Sequence, residues 1–177
     1  TYVARAKLGW TSTTGDPDGE LTETGNIPGD LALPTGTITQ MVPMTSAVKV
    51  DGERLYKKAH RGEVVETPVK EVEIEAIDVL EFDEAAQTMR CRIACSKGTY
   101  VRSLAHDLGE LLGCGAHVVQ LRRTGIGAVG IEHAVALERL QALETPAQRA
   151  QLLQPVDSVL HELPAVNLTS LAAHYLK

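Results

Sequence analysis

The chain has 177 residues, of which 44% are hydrophobic and 3% aromatic, so it can bury one core built from aliphatic side chains. No apolar run approaches the ~20 residues that span a bilayer, and the three cysteines form neither a C-x-x-C zinc pair nor a disulfide framework, which favours a cytoplasmic protein. The net charge of −6 excludes a protein that coats nucleic acid by bulk charge.

The first half of the chain predicts strands separated by a long loop. Alternating side chains predict a strand over Tyr2–Leu8, and a start inside a strand is typical of a piece of a longer protein. Residues 15–36 are rich in Gly, Pro, Asp and Thr and predict a loop. A short strand is predicted over Thr45–Val50, followed by a turn and a basic helix over Arg54–Arg61.

The second half predicts most of a sheet and the longest helix. Its predicted elements are two strands, a helix, a third strand and two short helices: Val69–Phe82, Thr88–Cys95, Thr99–Leu112, Ala116–Arg123, Leu137–Leu143 and Pro146–Leu153. The first two strands are expected to pair antiparallel, and Gly113 stands where a helix cap belongs. These elements predict an α+β fold built on a mixed, mainly antiparallel sheet.

Basic residues are concentrated in two parts of this acidic chain. Residues 90–124 hold six Lys and Arg against two acids, and residues 49–61 hold five against two. Such islands indicate a localised site for a polyanion. On charge alone, ordinary solvated surface is an equal alternative.

The junction at residues 95–102 joins an alternating strand to the amphipathic helix. Arg102 is expected in the first turn of that helix, where a cation is unfavourable by up to ~1 kcal/mol. A ligand phosphate or a carboxylate from elsewhere should compensate it, and pairing with a surface acid is the ordinary alternative. Tyr2 and Tyr100 could stack on a base, although a tyrosine more often fills the core.

Metal, nucleotide and hydrolase sites are not indicated. His106 and His117 are not spaced for a metal site with any cysteine or carboxylate. The chain contains no G-x-S-x-G, Walker-type or G-x-G-x-x-G motif. The residues therefore predict no metal and no cofactor.

Four segments in chain order carry a family resemblance: Tyr2–Gly9, Val42–Lys49, Cys95–Arg102 and Leu112–Arg123. Together they resemble the TruB family of tRNA pseudouridine synthases over nearly the whole chain. The resemblance implies an isomerase that flips out the uridine at position 55 in the tRNA T-loop, cleaves its glycosidic bond and rejoins the rotated uracil through carbon. It implies tRNA as the partner, and no cofactor, metal, membrane or obligate protein partner.

The resemblance also implies roles for individual residues. Arg102 matches the arginine that pairs with the catalytic aspartate, Tyr2 matches the tyrosine that packs against the flipped base, and Tyr100 and Leu121 match positions lining the uracil pocket. Residues 43–62 resemble the segment that closes over the T-loop. The residues expected to contact RNA are Lys49, Arg54, Lys57, Lys58, Arg61, Lys97, Arg122 and Arg123.

The chain departs from the family pattern at its catalytic aspartate. The family's nucleophile lies upstream of the first strand, in a motif of the type G-x-L-D-P-x-A-T-G, which these residues lack. Asp16 precedes a proline, but it follows the first strand and no Ala-Thr-Gly comes after it, so it is not expected to be the nucleophile. The partner of Arg102 is therefore expected outside the chain. The loop over residues 19–36 is shorter than the family pattern.

These departures predict a chain truncated at both ends and inactive by itself. Residues 1–154 would be the central part of a catalytic domain, and residues 155–177 a linker and the start of a truncated C-terminal region. Two alternatives remain open. One is a domain that binds structured RNA without modifying it, and the other is a small α+β domain that binds a small molecule.

Overall fold

The computed structural model describes residues 1–27, 33–160 and 163–175 and divides the chain into two compact units, Thr1–Thr124 and Gly125–Lys177. The elements of the first unit are β1 (Tyr2–Leu8), β2 (Trp10–Ser12), β3 (Leu21–Glu23), β4 (Gly36–Met41), β5 (Lys49–Val50), β6 (Glu53–Arg54), α1 (Leu55–His60), β7 (Val69–Asp83), β8 (Thr88–Cys95), α2 (Val101–Leu111) and β9 (Ala116–Arg123). Within the described ranges, no helix has the length and apolar character needed to cross a bilayer.

A five-stranded sheet organises the first unit, in the order β4-β7-β8-β1-β9, and every neighbouring pair is antiparallel. The interior strand β1 pairs with β8 through Tyr2 opposite Ile93 and with β9 through Tyr2 opposite Arg123. The predicted α+β fold with a mainly antiparallel sheet is confirmed.

Helix α2 covers one face of this sheet, which we call the inner face; the opposite face is the outer face. Ala4 and Ile93 point inward because strand side chains alternate, and they join Leu104 and Leu108 of α2 in the buried core. Each large aliphatic side chain buried there contributes about 1.5–3 kcal/mol before conformational entropy is subtracted.

Glycine allows α2 to approach the chain that follows it. Gly109 lies on the buried face of α2, and a Cβ there would overlap the backbone of Gly115 and Ala116. The carbonyl of Gly109 accepts hydrogen bonds from the N–H groups of Cys114 and Gly115. Gly113 has a φ of +68° and follows the last turn of α2, as predicted.

Most predicted elements of the first unit are confirmed within one or two residues, namely β1, α1, β7, β8, α2 and β9. The strand predicted over Thr45–Val50 is wrong except for its last two residues, which form β5 with β6 as partner. The loop predicted over residues 15–36 contains β3, which pairs with β2, and the loop's residues 28–32 lie outside the described part of the chain. Strand β4 was not predicted.

The second unit consists of short elements. They are β10 (Gly125–Ile126), β11 (Val129–Gly130), a 3₁₀ turn (Ile131–His133), α3 (Leu137–Gln141), α4 (Pro146–Ala150) and α5 (Ser170–Tyr175). The two short helices predicted near residues 137 and 146 are confirmed, and α4 begins with a capping box between Thr145 and Gln148. The domain boundary after residue 154 stays a prediction.

Candidate active site

An ion pair holds Arg102 at the start of α2. Its Nη1 lies 2.9 Å from Oδ2 of Asp16, and each side chain is 27% exposed. Its Nη2 lies 3.5 Å from the carbonyl oxygen of Thr45. The carboxylate expected to compensate a cation at this helix end is therefore present in the chain. Asp16 is the ordinary alternative named above, an acid of the chain itself, which β2 and its following loop return to the N-terminal end of α2. The expectation of a catalytic aspartate outside these residues stays a prediction.

Local hydrogen bonds fix the loop that carries Asp16. The hydroxyl of Thr14 donates to Oδ1 of Asp16 at 2.6 Å, and the backbone N–H of Asp18 donates to the same oxygen at 3.3 Å. Gly15 has a φ of +78°, and a Cβ there would lie 3.3 Å from Cβ of Arg102. The Gly15 carbonyl accepts the N–H of Val118, so the loop is held against both β9 and α2.

These contacts keep the Asp16 carboxyl ionised. Partial burial by itself would raise the pKa of Asp16, but hydrogen bonds from Thr14, from the Asp18 backbone and from Arg102, together with the charge of Arg102, bring the pKa below its ordinary value. Asp16 and Arg102 therefore form a charged pair at neutral pH.

A buried glutamine holds the residue that caps α2. The side chain of Gln40, 1% exposed, accepts the N–H of Tyr100 at 3.0 Å and donates to the Tyr100 carbonyl at 3.3 Å. Tyr100 is the N-cap of α2 and has no side-chain cap of its own. Sequence reasoning missed Gln40; the available signal was a polar residue at an inward position of an alternating segment, next to Ile38 and Val42.

An open groove of about 560 Å³ lies beside Arg102. Its walls are residues 12–15, residues 41–45 and the exposed side of α2. Ser103 donates to the Met41 carbonyl at 3.0 Å, which ties the second wall to α2. Tyr2, Tyr100 and Leu121 do not line this groove.

Two of the predicted base-contacting residues share the inner face, at the edge formed by β1 and β9. Leu121 is opposite Ala4 and 47% exposed, and Arg123 is opposite Tyr2. The guanidinium carbon of Arg123 lies 5.2 Å from the centre of the Tyr2 ring, and its Nε donates to the Tyr2 hydroxyl at 3.1 Å. Arg122 is opposite Val3 and therefore belongs to the outer face, away from Tyr2.

The basic segment over residues 49–61 is partly neutralised by its own acids. Arg61 contacts Glu53 at 2.7 Å and Glu63 at 2.6 Å, and its hydrogen bonds hold the pKa of both carboxyls below the usual range. Lys58 is largely covered and lies 3.8 Å from Asp51.

The other predicted RNA contacts keep their charge available. Within the described ranges, Lys49, Arg54 and Lys57 form no ion pair, and Lys97 is exposed in the turn before α2.

Three side chains of α2 lie close enough together to be possible metal ligands, which the sequence spacing did not indicate. His106, Asp107 and Glu110 have potential ligand atoms within 4.8 Å of one another on α2. His106 was expected to have no carboxylate at ligand spacing, and that expectation is wrong. Burial raises the pKa of Asp107, with the nearby Glu110 raising it further against the opposing effect of His106.

Family models cover the chain from residue 1 to residue 161. Residues 1–101 match the N-terminal domain of TruB family pseudouridylate synthases, and residues 102–161 match the C-terminal domain of tRNA pseudouridylate synthase B. Both models describe families of pseudouridylate synthases. The chain belongs to the TruB family, as the sequence resemblance predicted.

Curated relatives and a solved structure agree with this assignment. The tRNA pseudouridine synthase B of Cupriavidus metallidurans is 44% identical over 97% of this chain and 57% of its own length. That of Ralstonia nicotianae is 46% identical over 95% of this chain and 56% of its own length. The chain thus spans just over half the length of these relatives. A structure titled "Crystal Structure of a Cbf5-Nop10-Gar1 Complex" matches 92% of this chain and 43% of that chain, with a TM-score of 0.60 and 25% identity.

Proposed function

We propose that this chain is part of a tRNA pseudouridine synthase that isomerises uridine to pseudouridine in the T-loop of tRNA. The observation that carries the proposal is the ion pair between Arg102 and Asp16 at the start of α2, in a chain of the TruB family. A tRNA substrate and three free thiols favour the cytoplasm as its location.

Arg102 is proposed to orient the nucleophile. A guanidinium has five N–H donors, and the bonds to Asp16 and to the Thr45 carbonyl use two of them, so others can hold a second carboxylate. We propose that this second carboxylate is the nucleophilic aspartate of the family motif, located outside these 177 residues. A guanidinium beside it keeps that carboxylate ionised and oriented, as nucleophilic attack requires.

The flipped uracil is proposed to bind at the inner face. Extrusion of a base costs a few kcal/mol of unstacking, and the Tyr2 ring, with Arg123 beside it, offers a stacking surface. Leu121 and Tyr100 are proposed to line the pocket, with Gln40 fixing the backbone of Tyr100.

The T-arm is proposed to contact the basic segment over residues 43–62. Lys49, Arg54 and Lys57 are its available cations, supplemented by Lys97 and Arg123. Arg61 and Lys58 contribute by holding the segment in shape through Glu53, Glu63 and Asp51.

The test replaces Arg102 by lysine in a full-length protein that carries this chain. Lysine keeps the charge but loses the forked geometry, so turnover of a T-loop uridine should fall ~100-fold or more while tRNA affinity is retained. The measurement is tritium release from tRNA labelled at C5 of uridine. Arg139→Lys, at an exposed position of α3, is the matched control. Unchanged turnover in Arg102→Lys would remove this role.

A domain that binds structured RNA without modifying it is the second candidate, and the basic residues favour it equally. It predicts salt-sensitive tRNA binding by the full-length protein with no tritium release. Tritium release by the full-length protein would exclude this candidate.

A further inference from the structure

Opposite charges are segregated on the outer face of the sheet. We call the cations of β1, β8 and β9 on this face the basic half: Arg5, Lys7, Arg90, Arg92 and Arg122. We call the acids of β7 on this face the acidic half: Glu71, Glu73, Asp78, Glu81 and Asp83. The two halves meet where β7 pairs with β8, and Arg5 contacts Glu81 there at 3.1 Å.

The basic half contains cations that the fold does not neutralise. Arg5 lies directly opposite Arg90, a like-charge pair that destabilises a sheet. Glu81 offsets the charge of Arg5, and Asp78 lies 4.0 Å from Arg92. In the part of the chain that the structure describes, Arg90 and Arg122 form no ion pair, and both are exposed.

The basic half is also concave. Val3, Arg5, Arg90, Gln120 and Arg122 line a depression of about 370 Å³, to which Leu121 also contributes. Two exposed guanidiniums therefore flank a hollow floored by β1. A hollow with cations on opposite sides fits an anionic group better than a flat charged surface does, because both sides can donate to it.

We propose that the basic half binds the phosphodiester backbone of a single RNA strand, at a surface separate from the inner-face site. The lining residues offer cations, an amide and two aliphatic side chains but no aromatic ring, so they favour phosphate contact over base stacking. The acidic half borders the surface on one side and repels the backbone, which confines the strand to β8, β1 and β9.

A second copy of the chain is the competing occupant, since its acidic half could oppose this basic half. That contact would remove charges on both chains from water at a large desolvation cost, and charged residues are depleted at the core of protein interfaces. Phosphate contacts stay hydrated. The charge pattern therefore favours RNA.

The test measures binding of the 177-residue chain to oligocytidylate of about 12 nucleotides, a length within the range that one binding module covers. This probe contains no uridine and no T-loop. The variant Arg90→Gln/Arg122→Gln is compared with Lys70→Gln/Arg139→Gln, which removes the same charge outside the basic half. Fluorescence anisotropy over a salt series gives log affinity against log salt, and Arg90→Lys/Arg122→Lys tests whether charge is sufficient.

The slope should become shallower by about 1.4 in Arg90→Gln/Arg122→Gln, because each phosphate contact on a single strand contributes ~0.7. The control and the lysine variant should keep the slope of the unmodified chain. Equal slopes in the glutamine variant and the control would overturn the proposal. Self-association, measured by sedimentation and abolished only by Arg90→Gln/Arg122→Gln, would overturn it in favour of a second copy.

The outcome is separable from that of the proposed function. If Arg90→Gln/Arg122→Gln leaves the salt slope unchanged while a full-length protein still isomerises the T-loop uridine, only the proposal of a second RNA surface is refuted. If the full-length protein does not isomerise uridine while the salt slope changes as expected, only the proposed enzyme activity is refuted.

Discussion

Arg102 occupies a position in α2 that would be unfavourable for a cation in an isolated helix. A cation in the first turn opposes the helix dipole, yet this position is where α2 meets both the groove and the loop of Asp16. Asp16 resolves the conflict within the fold, and the hydrogen bonds from Thr14 and Asp18 keep its carboxyl charged for that purpose. The fold itself therefore holds the guanidinium in position.

The two aspartates beside this groove should respond oppositely to pH. Asp16 has a folded-state pKa below its ordinary value of 3.8, so its stabilisation is present above pH 3.8 and is lost as the pH falls through the folded-state pKa. Asp107 has a raised pKa, so its contribution is present below pH 3.8 and is lost as the pH rises through the folded-state pKa.

Asn replacements should reveal this difference. Asp16→Asn should lower the free energy of unfolding at pH 7, and Asp107→Asn should raise it. Both differences should shrink as the pH falls, Asp107→Asn converging near pH 3.8 and Asp16→Asn below it. Urea titrations followed by Trp10 fluorescence at several pH values measure this. Differences of the same sign, or differences independent of pH, would contradict the assigned electrostatics.

Gln40 supports the start of α2 through hydrogen bonds to the backbone of Tyr100, so its replacement should lower the stability of the protein. Gln40→Leu leaves the N–H of Tyr100 without its acceptor, and an unsatisfied buried group costs about 1–3 kcal/mol. The expected result is a loss of stability in that range, together with reduced turnover in the full-length protein. Gln141→Leu, at the exposed end of α3, is the control and should change stability by less than about 0.5 kcal/mol. A wild-type stability for Gln40→Leu would show that the cap of α2 needs no side-chain support.

At the scale of elements, a helix or strand could be predicted where its own residues carry the pattern. The alternation in β1 and β8 and the helical spacing in α2 each specify the element and its buried side, so these predictions are confirmed. Strand β4 was missed because Gln40 occupies an inward position, and only the backbone of Tyr100, 60 residues away, makes a glutamine suitable there.

The pairing at the candidate site could not be predicted for the same reason. The sequence identified Arg102 and its need for an anion, but Asp16 lies 86 residues away. Its approach depends on the β2–β3 hairpin, which is formed by strands of only three residues that carry little periodicity. Both Arg122 and Arg123 were expected to contact RNA, but strand alternation puts them on opposite faces, and the face that each occupies depends on the register with β1.

The close packing of α2 against the following turn gives a prediction for Gly109. Alanine normally stabilises a helix by up to ~1 kcal/mol relative to glycine. At this position its Cβ would overlap the backbone of Gly115 and Ala116, which cannot move aside like a side chain. Gly109→Ala should therefore destabilise the protein by about 1–3 kcal/mol, measured by urea unfolding. Gly125→Ala, whose Cβ would make an ordinary 3.6 Å contact, is the control, and an equal effect of the two would refute the packing argument.

At the scale of the whole molecule, the cations are concentrated in a few places. The net charge is −6, yet cations lie together on the basic half and in residues 49–61, and Arg123 lies beside Tyr2. An acidic molecule can bind RNA through such clusters because screening limits the repulsion from distant acids to about a Debye length, ~8 Å at physiological salt. What decides binding is then which cations remain unpaired in the fold.

Lys57 and Arg61 test that statement within a single segment. They lie four residues apart, but Arg61 is held by Glu53 and Glu63 whereas Lys57 has no ion pair in the described part of the chain. Lys57→Gln should therefore make the salt dependence of tRNA binding shallower by about 0.7–0.9, the value of one phosphate contact. Arg61→Gln removes the same charge but should leave the slope unchanged, because its guanidinium already contacts carboxylates. Anisotropy with labelled tRNA over a salt series measures both variants, and equal slopes for them would show that the ion pairs of Arg61 open when RNA binds.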